Sequence, residues 1–106
     1  MRTVKRLEII VSSREMHKIL TKLDEVEVSG YSVIRDVTGR GHHGTVSDDS
    51  DFAATTLSNV YILSFCASEK VKPVLEQINP LLNKFGGVCY LSEVMEVRSA
   101  ECIATL

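Results

Sequence analysis

Two glycine-rich stretches contain the residues of this chain that are best suited to bind an anion. The first is Thr38-Gly39-Arg40-Gly41 and the second is Gly86-Gly87-Val88. Glycines let backbone amides approach phosphate oxygens closely, and successive amides in such turns form anion-binding concavities. Arg40 adds a charge-assisted, bidentate contact to a phosphate. The first stretch alone is more typical of a mobile loop, but the two stretches together predict a phosphate-binding site.

Other reactive side chains do not form a catalytic or metal-binding pattern. No serine or acid–base pair has the arrangement that nucleophilic catalysis needs, so no enzyme is predicted. His42 and His43 are followed by acidic residues. Adjacent histidines on a loop point in different directions, and no cysteine or third histidine joins them, so no metal site is predicted. Their interpreted role is to supply a charge that depends on pH, either near the phosphates or at a partner surface.

Composition and charge restrict the function classes. At 106 residues, with 44% hydrophobic and 25% charged residues, the chain has the size and composition of one globular domain. Its net charge of −2 gives no electrostatic case for a nucleic-acid partner. No apolar run approaches the roughly 20 residues needed to cross a bilayer, and no signal peptide precedes the first predicted strand. A cytoplasmic location is therefore predicted.

The cysteines agree with that location, because there are three of them and they lack CxxC spacing. Cys66 and Cys89 lie inside strand patterns and are predicted to be small buried hydrophobic residues. Cys102 lies in the C-terminal tail, where a redox role remains open.

The first part of the chain predicts one βα unit. Val4 to Val11 alternates polar and apolar residues and becomes apolar on both faces at its end, which is typical of a strand entering a sheet. Ser12-Ser13-Arg14-Glu15 predicts a capping box, in which a serine hydroxyl accepts from a helical amide and the glutamate reaches back. Apolar residues at helical spacing predict a helix from about Ser13 to Glu27. Ser29-Gly30 is interpreted as its end, because glycine tolerates the left-handed conformation there.

A long insertion separates the second and third predicted strands. Tyr31 to Val37 is β-branched, and Leu57 to Ala67 is continuous and aromatic enough to be a central strand. The loop between them, about residues 39–57, far exceeds the usual connection of about 4–6 residues, and such loops tend to be functional or disordered.

A second βα unit completes the order βαββαβ. A helix from Ser68 ends at Phe85-Gly86-Gly87, Val88 to Val97 is the fourth strand, and residues 98–106 form a tail. Residues 1–97 thus form one domain. With right-handed crossovers this order predicts an α+β, ferredoxin-like fold: a four-stranded antiparallel sheet with both helices on one face.

The other face of that sheet has no helix to cover it. Strand alternation places one of two sets of residues there: Tyr61, Leu63 and Phe65, or Val60, Ile62 and Cys66. Either set would be an exposed apolar patch, so we expect this face to pack against another copy of the chain.

Val4 to Val97 resembles the PII superfamily of trimeric signalling proteins. Within it, the chain looks most like the SbtB group, which regulates the sodium-dependent bicarbonate transporter of cyanobacteria. The resemblance is carried by Gly-Tyr-Ser-Val (Gly30 to Val33), by Thr38 to Gly41 before a long polar loop, and by Gly-Gly-Val-Cys-Tyr (Gly86 to Tyr90). The fold alone would be weak evidence because it hosts many functions, but the inserted loop makes the combination more specific.

In that family the long loop is called the T-loop, three subunits pack sheet to sheet, and a nucleotide lies in each cleft between subunits. The resemblance implies that the T-loop base and the turn before the last strand hold the nucleotide. The implied binding residues are Ser12, Thr38, Gly39, Arg40, Gly41, Gly86, Gly87 and Val88. The implied effectors are the adenine nucleotides cyclic AMP (cAMP), AMP, ADP and ATP, with no covalently bound cofactor.

The resemblance also implies a partner and a location. A bound nucleotide would bias the T-loop between disordered and ordered states, one of which docks on a membrane bicarbonate transporter from the cytoplasm. The homotrimer would then be peripherally membrane-associated but not inserted. Gly44 to Thr56 is the disordered, partner-facing arm in this hypothesis. Its acidic tract, Ser47 to Asp51, either solubilises the loop or recognises a basic surface of the partner.

Departures from the family pattern narrow these expectations. The turn at Gly86-Gly87 lacks a basic residue, and no tyrosine lies between Thr38 and Leu57. Strong ATP and 2-oxoglutarate sensing, as in the nitrogen-signalling members, is therefore not expected. Some SbtB-type members close a redox clasp with a pair of C-terminal cysteines. The tail here holds only Cys102, so such a clasp is not expected either.

Three alternative functions remain. The nearest is a PII-like, carboxysome-associated sensor of ADP or AMP together with bicarbonate, which the genomic neighbours would distinguish. A metal-tolerance trimer of the CutA type shares the fold but lacks this long loop. The last is a small ferredoxin-like enzyme subunit.

Overall fold

The computed structural model of the chain describes residues 1–41, 44–46 and 58–98. The elements in chain order are β1 (Arg2–Ser12), a 3-10 turn (Ser13–Glu15), α1 (Met16–Val26), β2 (Ser32–Val37), β3 (Gly39–Gly41), β4 (Gly44–Val46), β5 (Asn59–Cys66), α2 (Ser68–Phe85) and β6 (Val88–Glu96). The predictions made for His42, His43, the tract 47–51 and Cys102 fall outside the described residues and stay predictions.

Four strands form one antiparallel sheet in the order β2-β5-β1-β6. β1 is central because it pairs with β5 on one side and with β6 on the other. β2 and β6 are consequently the two edge strands. The predicted ferredoxin-like fold is confirmed.

The hydrophobic core lies between one face of the sheet and the two helices. The sheet contributes alternate residues, and the helices contribute residues three or four positions apart, as the two periodicities require. The buried members are Leu7, Ile9, Val11, Met16, Ile19, Leu23, Val60, Ile62, Cys66, Val74 and Ile78. Burying a side chain of the larger kinds contributes about 1.5–3 kcal/mol each. Neither helix in the described part of the chain is long and apolar enough to cross a bilayer.

The structure decides which residues occupy the uncovered sheet face. The core takes Val60, Ile62 and Cys66 from β5. Successive side chains of a strand point to opposite faces, so the uncovered face carries the other set, namely Tyr61, Leu63 and Phe65. Neighbouring strands extend this face with Ile34 and Tyr90, each 57% exposed. This face therefore carries large apolar side chains that are suited to self-association.

The end of α1 differs from the prediction. Glu27, not Gly30, takes the left-handed conformation, with φ 63° and ψ 46°. The amide of Val28 donates to the carbonyl of Leu23 at 3.3 Å, which is part of a Schellman motif. The carbonyl of Gly30 instead accepts the hydroxyl of buried Ser64 at 2.7 Å. Gly30 therefore contacts β5 through its carbonyl, and the helix ends before this residue.

Candidate functional site

The first group of predicted site residues, Thr38–Gly41, follows β2 at one edge of the sheet and is called here the first wall. Thr38 is exposed. Gly39–Gly41 forms β3 and pairs with Gly44–Val46, with Arg40 opposite Thr45. The prediction of a disordered arm from Gly44 onwards is therefore wrong for β4. Three of the six paired residues are glycines, which are depleted in strands, so the sequence showed no strand pattern there.

An irregularity in β2 precedes the first wall. Ile34 pairs with Tyr61, but the next pair is Val37 with Asn59, so two residues of β2 stand opposite one residue of β5. Such an arrangement is a β-bulge. Asp36 lies within it and has a φ of 59°. Sequence reasoning missed the bulge, and the only available signal was that aspartate tolerates the left-handed conformation better than most residues.

The second group, Gly86–Val88, links α2 to β6 and is called here the second wall. Its glycines have φ values of 88° (Gly86) and 127° (Gly87). A Cβ on Gly87 would lie 2.7 Å from Cγ1 of Val11 and 2.9 Å from the carbonyl oxygen of Ile10, whereas a Cβ on Gly86 would meet nothing within 4 Å. The turn therefore needs glycine at both positions for its conformation, and at one of them also for space.

Two lysines lie beside the second wall. The Nζ of Lys18 is 4.0 Å and that of Lys84 is 5.2 Å from the ring centroid of Phe85, the residue before Gly86. The carboxylate of Glu15 accepts from Lys18 at 2.8 Å. Sequence reasoning found no basic residue in this turn because Lys18 comes from α1, far away along the chain. Lys84 already lies two residues before Gly86 in the sequence, and the fold adds Lys18 from α1 beside it.

Ser12, the last residue of β1, lies between the two walls. It stands opposite Asn59, which in turn stands opposite Val37. Its hydroxyl accepts from the amide of Arg14 at 3.3 Å, one residue earlier than the amide that the predicted capping box would use. Glu15 does not complete the box, because its carboxylate pairs with a lysine of α1. Within the part of the chain that the structure describes, no group accepts the Ser12 hydroxyl proton.

The chain returns from the long loop at Ser58, which is fixed to the end of β1. The amide of Ser13 donates to the Ser58 carbonyl at 2.9 Å. The Ser58 hydroxyl also donates to the Ser13 hydroxyl oxygen at 3.3 Å. Ser58 is only 4% exposed. This anchor was not predicted, since a single serine at the end of a polar tract carries no pattern.

The walls lie at the same end of the sheet but at opposite edges, on β2 and β6. Three strand spacings of about 4.8 Å separate these edges, roughly 14 Å in all. A phosphate held at one wall therefore cannot also touch the other wall of the same chain. An open groove along α2, from Ser68 to Pro80, contains none of the predicted site residues.

A hydrogen-bonded strip crosses the uncovered sheet face. Tyr61 donates to Glu8 at 2.5 Å, Glu8 pairs with Arg6 at 3.1 Å, and the Arg6 Nε donates to Ser92 at 3.0 Å. The bond to Glu8 is the main reason that the pKa of Tyr61 is raised. Because these groups are already hydrogen-bonded to one another, another copy of the chain can cover them at a lower desolvation cost than if they were unpaired.

The prediction of buried hydrophobic cysteines is confirmed for Cys66, whereas Cys89 is half-buried and packs against the core. Cys66 is 4% exposed, and burial raises the pKa of its thiol. Burial likewise raises the pKa of the Cys89 thiol to about 11. Neither supplies a thiolate near neutral pH, which is the reactive form of the residue. Within the described ranges, no three metal-ligating side chains cluster.

The family model described as "Nitrogen regulatory protein P-II" matches residues 4–101. Among curated proteins, none matches the chain.

Among solved structures, the chain is similar to CPII, a nitrogen regulatory PII-like protein from Thiomonas intermedia K12, bound to ADP, AMP and bicarbonate. The identity is 26%, the TM-score is 0.79, and the match covers 88% of this chain and 87% of that one. CPII bound to ADP, AMP and acetate matches at 25% identity and TM-score 0.75, covering 91% and 90%. A putative PII-like signalling protein from Thermus thermophilus shares the fold at 14% identity and TM-score 0.65, with 87% and 86% covered.

Proposed function

This chain belongs to the family of nitrogen regulatory proteins P-II, and we propose that it is a trimeric, adenine-nucleotide-binding signalling protein of inorganic carbon uptake. The observation that carries the proposal is the pair of glycine-built walls at one end of the sheet. PII-like proteins are generally trimers, and the apolar sheet face supports the same assembly here. No catalytic role is proposed, since proteins of this family are signalling proteins.

The proposed site lies in the cleft between two copies. The walls lie at opposite edges of one sheet, which supports an arrangement in which the first wall of one copy faces the second wall of its neighbour. The contacting residues are proposed to be Ser12, Thr38, Gly39, Arg40, Gly41, Gly86, Gly87 and Val88. The T-loop, about residues 39–57, then begins at the ligand and can report its presence to a partner.

Two versions of this function differ in ligand and partner. In the SbtB-type version, cAMP, AMP, ADP or ATP controls docking of the T-loop on a bicarbonate transporter, and the cytoplasmic trimer becomes peripherally membrane-associated. In the second version, the chain senses ADP or AMP together with bicarbonate and serves a carboxysome-associated or other carbon-uptake system. Similarity to CPII bound to ADP, AMP and bicarbonate favours the second. The family match supports either over a CutA-type metal-tolerance role.

Calorimetry on the trimer tests the proposal. Titrations with cAMP, AMP, ADP and ATP, each with and without bicarbonate, are expected to show micromolar binding of at least one nucleotide, about −8 kcal/mol. Tighter ADP or AMP binding in the presence of bicarbonate selects the second version, and cAMP binding that ignores bicarbonate selects the first. A folded trimer that gives no heat with any of the four nucleotides overturns both.

A further inference from the structure

The bulge in β2 determines how the first wall leaves the sheet. Without it, Val37 would stand opposite Ser58. With it, Val37 stands opposite Asn59 and shares the uncovered face with that residue. Because side chains alternate along a strand, a one-residue shift moves every following residue to the other face. The backbone amides alternate in the same way, so the shift also decides which amides of Gly39–Gly41 can point towards a ligand.

One residue of this bulge has an unusual backbone conformation. Asp36 has a φ of 59°, in the left-handed region that most residues with a side chain avoid. Its side chain is exposed, so packing of the side chain does not impose the conformation. Aspartate and asparagine are the residues with a side chain that adopt it most readily.

The far end of the loop is anchored differently. Ser58 is buried and bound to Ser13 by two hydrogen bonds. The return of the chain is thus anchored by a buried residue, whereas its departure passes through one unusual backbone conformation. Strained or unusual backbone positions of this kind cluster at ligand-binding and switch regions.

We propose that Asp36 is a positioning residue of the nucleotide site, which directs the backbone of the first wall towards the ligand by holding the left-handed conformation. The inference rests on the proposed function, because it takes the ligand of the first wall to be the proposed nucleotide. The rival interpretation is edge protection, because bulges also keep edge strands from pairing with other chains.

Two substitutions at this position separate conformation from charge. Asp36→Asn and Asp36→Val both remove the carboxylate, but only asparagine readily keeps the left-handed conformation. We expect the asparagine variant to bind ADP within about two-fold of wild type, and the valine variant to bind it roughly five- to thirty-fold more weakly. Without nucleotide, hydrogen exchange of the amides of Val37–Gly41 should become faster in the valine variant only.

Each outcome decides the inference. Equal ADP affinity in both variants, or an equal loss in both, overturns it, because conformation would then not be the cause. Altered self-association with unchanged affinity favours edge protection and also overturns it. If wild type binds no nucleotide, the proposed function fails, while the exchange rates still test whether Asp36 orders the first wall.

A third substitution covers the case in which Asp36→Val does not fold. Glycine accepts the left-handed conformation without strain but leaves the backbone freer. Asp36→Gly is therefore expected to keep its thermal midpoint while losing roughly two- to five-fold in ADP affinity. Wild-type affinity or this small loss supports the inference, whereas a loss far beyond five-fold in a folded glycine variant, which keeps the conformation, would overturn it.

Discussion

The two walls of the candidate site are built by different means. The second wall is fixed by packing, since Gly87 fits against Ile10 and Val11 with no room for a Cβ. The first wall is fixed by backbone geometry, since it follows a bulge with Asp36 in the left-handed conformation. One wall is therefore held by packing, whereas the direction of the other follows from the backbone conformation at a single residue.

This difference suits a sensor. A ligand can shift a conformational equilibrium only by binding one state better than another. We expect a second wall held by packing to offer the same contacts in every state of the T-loop, whereas contacts to the first wall depend on its direction. The ligand's preference for one loop state should therefore come from the first wall, and each substitution below tests one side of this contrast.

The largest effect is expected at Gly87. Gly87→Ala places a Cβ against backbone and core atoms, the shortest contact being 2.7 Å to Val11, and also strains a φ of 127°. We expect the free energy of unfolding to fall by about 2–4 kcal/mol, measured by urea denaturation. The matched control is Gly86→Ala, which strains φ in open space and should lose only about 1–2 kcal/mol. Equal losses would show that packing does not define this wall.

Arg40→Ala should affect binding and leave stability unchanged. A charge-assisted hydrogen bond to phosphate contributes about 1.5–3 kcal/mol, so ADP affinity should weaken by that amount in calorimetry. Arg40→Lys keeps the charge but loses the bidentate geometry and should fall between wild type and alanine. An unchanged affinity in the alanine variant would remove Arg40 from the site.

The two walls also differ in how far the sequence predicted them. Gly86-Gly87 was recognised because glycine pairs at a helix end have a direct steric meaning, and the structure supplies the close contact that requires one of them. The fold could be predicted equally well, since strand alternation and helical spacing indicate directly which residues are buried. Pattern alone left open which face of β5 is buried, because both sets of residues are apolar, and the core contacts decide it.

The residues of the first wall were predicted, but their secondary structure was not. The residues Thr38 to Gly41 were identified, yet the pairing of β3 with β4 and the bulge at Asp36 were not. Glycine-rich strands have no alternation to read, and a bulge depends on the register between two strands that are distant in sequence. The anchor at Ser58 and the position of Lys18 beside Phe85 were also missed, because both are contacts between residues that are distant in sequence.

A smaller effect is expected where the loop returns. Ser58→Ala removes the hydroxyl bond to Ser13 but leaves the backbone bond between the same residues. We expect a loss of about 1 kcal/mol in the free energy of unfolding, with faster hydrogen exchange at the start of β5. The control is Ser29→Ala, since its hydroxyl donates to the Phe65 carbonyl at an exposed position and should matter less. A larger loss from the control would mean that the loop return is not specifically anchored.

The smallest effect is expected at Ser12, midway between the walls. Ser12→Ala removes a cap that accepts from the Arg14 amide at 3.3 Å, and should lower the free energy of unfolding by about 0.5–1 kcal/mol. Ser12→Thr keeps the hydroxyl and should retain stability. If Ser12 also donates to the ligand, alanine will weaken ADP binding while threonine will not. If alanine lowers stability and leaves ADP affinity at the wild-type value, Ser12 only caps the turn, and the ligand is held by the two walls without it.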